Sequence, residues 1–247
     1  MDVVVTGIGL QSCLGSLEQS WAAILAGKSG IEIKKPFSDL PSYPLGTIAD
    51  SPSHRLLRHV RHKPLGRPQA TRTRYKTEPA VTVGQLSLLT ERIVKAAIAD
   101  ANLETPLQEC GVTIGSSRGC QNLWEEIVRE SVLREEKQRF LDRNYNWLDA
   151  LPHQSAVSAA KLIQTNAPVL SPMAACATGI HAIARGYELI QTGECERVIA
   201  GAIETPITPL SLAGFERMGA LATTGCYPFD RHREGLVLGE GGAVFVL

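Results

Sequence analysis

The chain has 247 residues, with 25 Lys+Arg against 25 Asp+Glu and 44% apolar side chains. This is the profile of a globular protein long enough to build a core without disulfide or metal staples. With no run of about 18 apolar residues, no membrane-spanning helix is expected. Asp2 and the break at Thr6-Gly7 deny the start MDVVVTGIGL the charge and apolar length of an export signal. A cytoplasmic chain, with neither membrane nor nucleic acid as partner, is the expectation.

In chain order, Val3-Val4-Val5 reads as a short buried strand ending in a glycine turn at Gly7 and Gly9. Gln19 to Leu25 reads as a helix with Trp21, Ile24 and Leu25 on its apolar side, ended by Gly27 and Gly30. Between residues 51 and 77 lie Arg55, Arg58, Arg61, Lys63, Arg67, Arg72, Arg74 and Lys76 with no acidic residue, so the neutral total hides a strong asymmetry. That basic segment reads as a long solvated loop. Its His59 and His62 have metal-ligand spacing, but no carboxylate or thiol nearby completes a shell, and no metal site is expected.

Leu86, Leu89, Ile93 and Ala97 mark one face of a helix running to about Ala101. Gly111 to Ile114 reads as a strand, and Gln121 to Arg143 as a charged helix with Trp124, Ile127 and Val128 as its apolar side. Ala156 to Ile163 is a further helix. Asn166 to Leu170 leads as a strand into a small-residue turn and another helix, Val198 to Ala202 is the next strand, and Ala243 to Leu247 closes as a buried strand. Strands alternating with helices argue for α/β layers.

The stretch Ser171-Pro-Met-Ala-Ala-Cys176-Ala-Thr-Gly-Ile180 sets a thiol between a strand and a helix, among side chains too small to bury it. Amides at a helix N-terminus suit a thiolate nucleophile and can hold an oxyanion. By spacing alone, Cys176 fits a small core residue equally well. The other five cysteines, Cys13, Cys110, Cys120, Cys195 and Cys226, form no C-x-x-C pair and read as reduced, buried thiols. The helix after Cys176 carries Ile180, Ile183, Tyr187 and Ile190, with Ala182, Ala184 and Gly186 thin enough for it to pack deep between layers. His181 lies about 140° around a helix from position 176, so a Cys-His pair is not expected and a partly buried structural role is. His232, in a polar turn, reads as solvated. Gly115-Ser-Ser117-Arg-Gly119 matches the serine-hydrolase elbow, but the pattern is short and nothing before it resembles the accompanying oxyanion loop.

Several motifs in order resemble the β-ketoacyl-acyl carrier protein synthases, the condensing enzymes of the thiolase-like fold. Val5-Thr-Gly-Ile-Gly9 is similar to the family's opening strand, Ala175-Cys-Ala-Thr-Gly179 to its nucleophile motif, and Ile199-Ala-Gly-Ala-Ile-Glu204 to the strand after it. Tyr227-Pro-Phe-Asp230, Glu234-Gly235 and Gly239-Glu-Gly-Gly242 are similar to the PFD…DG…GEGAG signature, with Glu234 where aspartate is usual. Gly115 to Gly119 falls where the family has a glycine-rich turn. The resemblance covers about residues 1–50 and 85–247; segment 51–77 lacks the family's pattern, and Ala174 replaces a common threonine.

What the resemblance implies is a layered thiolase-like α/β fold, with a mixed sheet packed by helices, forming an N-terminal half over 1–247. It further implies acyl transfer from a carrier protein onto Cys176, then decarboxylative condensation with malonyl-carrier protein, needing no metal or redox cofactor. The family draws two catalytic histidines, a lysine and a second oxyanion donor from a C-terminal half, and no histidine here matches those motifs. The expectation is therefore a synthase half that works with a second half or as a homodimer, or else an inactive carrier-binding or dimerising half. Such a half should leave the helix face of Ile183, Tyr187 and Ile190 uncovered.

Overall fold

The computed structural model describes residues 2–48, 84–133 and 147–247. Its first strand, β1 (Gly7–Ser12), contains the two glycines that the sequence marks as a turn. The reason is steric. A Cβ on Gly9 would collide with the carbonyl oxygen of Ile93 and lie 2.8 Å from Ala97 N, so glycine lets helix α2 (Gln85–Asp100) lie directly on the strand. Val4 and Val5, expected to be buried, precede the strand and are exposed.

After β2 (Gly15–Ser16), a reciprocal capping box between Ser16 and Gln19 starts α1 (Leu17–Leu25). Its apolar side does not face a core: Trp21, Ile24 and Leu25 are exposed, and only Ser20 is buried. The small strands β3 (Glu32–Lys34) and β4 (Tyr43–Gly46) follow. The basic segment 51–77 and its histidines lie outside the described residues.

In α2 the expected face is the buried one, with Leu86, Leu89, Ile93 and Ala97 all inside. Next come β5 (Cys110–Gly115), buried throughout, and α3 (Gln121–Leu133). In α3 Ile127 faces the core as expected, joined by Leu123, whereas Trp124 and Val128 are exposed. Residues 134–146, the expected continuation, lie outside the described residues. The remaining elements are α4 (Gln154–Ile163), β6 (Val169–Leu170), α5 (Thr178–Gln191), β7 (Arg197–Glu204), α6 (Pro209–Arg217), β8 (Leu238–Gly239) and β9 (Gly241–Val246).

The main sheet runs β2-β1-β9-β7-β5-β6 and is mixed, as expected of the thiolase-like fold. Strands β6, β5 and β7 are parallel, whereas β9 pairs antiparallel with both β7 and β1. Alternation along β7 builds two cores. Ile199 and Ile203 join α2 and α4 on one face, and Val198 and Ala200 meet Leu189 and Ile190 of α5 on the other. A smaller sheet, β3-β4-β8, packs Tyr43, Leu45 and Leu238 against Ile207 and Leu212.

Helix α5 approaches the sheet closely because small residues meet there. A Cβ on Gly186 would sit 2.9 Å from Ala200 Cβ and 3.0 Å from Thr113 Oγ1, and Thr113 Oγ1 donates to Ala182 O at 2.8 Å. Ile190 and, in part, Ile183 turn into this core, contrary to expectation. Ile180 and Tyr187 are the large apolar residues left outside, so α5 is covered on one side only.

Candidate active site

The carboxyl ends of the parallel strands β6, β5 and β7 meet at one edge of the sheet, the edge where open α/β sheets hold their ligands. After β6 the chain enters a single 3-10 turn, Ala175–Ala177, which runs directly into α5. Cys176 sits in that turn and is exposed, while Cys110, Cys120 and Cys195 are buried. Burial pushes the thiols of Cys110 and Cys120 up to about 11 and raises that of Cys195, because a thiolate there would lose its water. Cys13 is half-buried and Cys226 exposed, and all six are free thiols.

The turn is held in a sparsely populated backbone shape. Ala175 has φ of 48°, a left-handed value that costs a residue with a Cβ about 1 kcal/mol or more and persists only where neighbours impose it. Thr178 imposes it: its Oγ1 donates to Ala175 O at 2.7 Å and accepts from Ala174 N at 2.9 Å. The first amide to close the turn is that of Ala177, which donates to Ala174 O at 3.0 Å. The amide of Cys176 precedes it, which is where a helical start leaves donors for a ligand.

Of the rival residues, Ser117 sits in a turn held from both sides. Its backbone amide is held by the Glu204 carboxylate, and Ser116 Oγ donates to the same carboxylate at 3.2 Å while accepting from Gly119 N at 3.0 Å. The Gly115–Gly119 segment is thus a clamped turn beside the Cys176 turn. His181 is exposed on α5 rather than partly buried. His232 is exposed as expected, its Nε2 accepting from Arg231 Nε at 2.8 Å. A concavity lined by Pro106, Gln108, Glu109, Glu196 and Arg197 lies at the opposite, amino ends of β5 and β7 and takes no part in this site.

The residue profile described as "Beta-ketoacyl synthase, N-terminal domain" matches residues 1–247. The chain belongs to the beta-ketoacyl synthase family. It is 28% identical over 251 residues to the 3-oxoacyl-[acyl-carrier-protein] synthase 2 of Staphylococcus aureus strain COL, a match covering 99% of this chain and 57% of that protein. It is 29% identical over 257 residues to the synthase of the same name from Mycobacterium bovis, covering 99% and 57%. The chain therefore spans little more than half the length of these curated relatives. Among solved structures, it resembles the ishigamide ketosynthase/chain length factor with a TM-score of 0.77 and 21% identity, over 98% of this chain and 57% of that one. A beta-ketoacyl synthase from Burkholderia phymatum aligns with a TM-score of 0.73 and 23% identity, over 98% and 58%. These likenesses establish the ketosynthase fold.

Within the beta-ketoacyl synthase signature, the departure at Glu234 has a structural sense. Its carboxylate accepts from the amide and hydroxyl of both Thr223 and Thr224, at 2.7 to 2.9 Å, closing the surface loop that carries Phe229 at φ 66°. The Thr223 and Thr224 hydroxyls, followed by their amides, hold this carboxyl down at about 2 against an ordinary 4.5. Since the folded value lies below the unfolded one, the bonds stabilise the fold above about pH 4.5 and are lost as pH falls towards 2. Glu234→Gln should therefore unfold at a slightly lower temperature than the wild type at pH 7, with the gap narrowing below about pH 4.5 and closing only near pH 2; a gap as large near pH 2 as at pH 7 would refute the assignment.

Exposure separates Cys176 and Cys226 from the buried thiols, and the helix-start amides set Cys176 apart from Cys226. Iodoacetamide with peptide mapping should label Cys176 first and leave Cys110, Cys120 and Cys195 unmodified until the chain unfolds. Equal early labelling of Cys13 or Cys226 would show that the turn confers nothing on Cys176.

Proposed function

We propose that this chain is the nucleophile-bearing half of a condensing acyltransferase of fatty-acid or polyketide synthesis. The supporting observation is Cys176 itself, exposed on a strained turn at the carboxyl ends of the parallel strands of a mixed sheet. In this reading the Cys176 thiolate attacks the carbonyl of an acyl thioester carried by an acyl carrier protein. The carrier thiolate leaves and takes up a proton, and the acyl group remains on sulfur. The amide of Cys176 lies where it can donate to the oxyanion formed on the way. Malonyl thioester then loses carbon dioxide, and its enolate carbon attacks the acyl-Cys176 carbonyl, releasing the thiolate and a 3-oxoacyl product.

The partners in this proposal are an acyl carrier protein and either a second half or a second copy of the chain. One similar structure is a type II polyketide acyl-carrier protein in complex with its ketosynthase, and another is a ketosynthase in complex with its chain length factor. The eight Lys and Arg between residues 51 and 77 supply a positive field for an acidic carrier, with long-range attraction that salt weakens. Ile180 and Tyr187, 70% and 49% exposed, mark the side of α5 that a second half or copy would cover. A cytoplasmic setting fits this chemistry, and among the described residues no helix is long and apolar enough to cross a membrane.

The test is intact-mass analysis after incubation with an acyl-carrier protein. The wild type should gain one acyl mass and Cys176→Ala none. Acylation that survives the substitution would assign the chemistry elsewhere, and an unmodified wild type would favour a carrier-binding half without catalysis.

A further inference from the structure

The carboxylate of Glu204, at the last residue of β7, lies beyond the nucleophile motif in sequence yet is joined to it by an unbroken series of contacts. It accepts the Ser117 amide and the Ser116 hydroxyl, at 3.2 Å for the latter, and Ser116 Oγ in turn accepts Gly119 N at 3.0 Å. This fixes the turn that begins at Gly115. Gly115 is pressed so closely on the Cys176 turn that a Cβ there would collide with Pro172 O and Thr178 Cγ2. Thr178 is the side chain that pins Ala174 and Ala175, and so the left-handed backbone before Cys176. The far side of the clamped turn is also fixed, since Gly119 has φ of 63° and a Cβ there would lie 2.7 Å from Pro152 N.

We propose that Glu204 is a positioning residue for the nucleophile: through Ser116, Ser117 and Gly115 it holds Thr178 against the Cys176 turn, keeping the turn's amides aimed for acyl transfer. The inference rests on the reading of Cys176 as the acyl acceptor, but its structural content can be measured separately. What Glu204 supplies is acceptor geometry. A glutamine keeps the bond to the backbone, its oxygen accepting the Ser117 amide while its NH2 donates to Ser116 Oγ in a reversed bond, whereas alanine leaves both donors without their acceptor.

Two readouts on the 247-residue chain test this. The first is hydrogen exchange in the peptide spanning residues 172–178, with α2 as internal reference. Glu204→Ala should speed exchange in that peptide about tenfold while α2 is unchanged, and Glu204→Gln should stay within about threefold of the wild type. Ser116→Ala, a smaller change, should fall between them. The second readout is the rate of acyl transfer to Cys176, which should drop about tenfold or more in Glu204→Ala and recover in Glu204→Gln, while iodoacetamide alkylation of Cys226 is constant.

Unchanged exchange at 172–178 in Glu204→Ala would overturn the proposal, as would equal loosening of α2. A Glu204→Gln variant as impaired as Glu204→Ala would overturn it too, because charge and not acceptor geometry would then be the cause. If the wild type takes no acyl group, the reading of Cys176 falls, and the exchange data still decide whether Glu204 holds the turn.

Discussion

Supplied with acyl- and malonyl-carrier proteins, the purified chain should accept an acyl group and form no 3-oxoacyl product. Condensation needs hydrogen-bond donors around the enolate that develops as carbon dioxide leaves, and removing even one such donor from a site of this kind typically costs about 100-fold or more in rate. The family resemblance places those donors in a C-terminal half, and this chain spans 57% of the length of the Staphylococcus aureus relative. None of its described histidines matches the family's histidine motifs: His153 precedes α4 without capping it, His181 is exposed on α5, and His232 accepts from Arg231. Chromatographic detection of product is the measurement. Turnover by a verified 247-residue chain would mean that one of its own histidines fills a role assigned here to a second half.

The second large effect concerns folding. Gly9→Ala should destabilise the chain by about 3 kcal/mol or more, because the new methyl group meets the backbone of Ile93 and Ala97 in a helix that cannot move off the strand without opening the main core. For a chain of this size that is a fall of about 6–12 °C in unfolding temperature. Gly214 in α6 is the control, since nothing lies within 4 Å of a Cβ built there. Gly214→Ala should be neutral or stabilising by up to about 1 kcal/mol. Equal unfolding temperatures for Gly9→Ala and the wild type would contradict the close packing of α2 on β1.

The contrast between those two glycines shows where sequence reading succeeds and where it stops. Helix α2 was legible because its 3.6-residue periodicity reflects burial against a single face, and all four of its marker residues are inside. Gly7 and Gly9 read as a turn in the sequence because glycine signals either a special dihedral or a close neighbour, and only tertiary structure shows that the neighbour is α2. Helices α1 and α3 are present over the described residues, and Ile127 is inside as expected, but the other apolar residues of their expected faces are not. Trp21, Ile24, Leu25 and Trp124 are exposed among the described residues, and pattern alone cannot distinguish a face that meets this chain's core from one that does not.

At the candidate site, the exposure of Cys176 fits the small residues between a strand and a helix, which leave a thiol uncovered. The devices that shape its turn were not legible in the sequence. The left-handed Ala175 carries no sequence mark, since glycine or asparagine would ordinarily announce such a dihedral. Thr178 gives a local signal, a hydroxyl three residues after the carbonyl to which it donates, that could have been used. Glu204 acts on residues 87 and 88 positions away, and a contact of that range has no local signature.

Protection of Cys176 by acylation tests the central claim most directly. The chain is incubated with an acyl-carrier protein, treated with iodoacetamide and mapped by peptide mass, with and without hydroxylamine to cleave the thioester. The result expected is an acyl group on the peptide containing Cys176, loss of alkylation there but not at Cys226, and return of alkylation after hydroxylamine. Full alkylation of Cys176 after incubation, or an acyl group carried by Cys226 instead, would contradict the account.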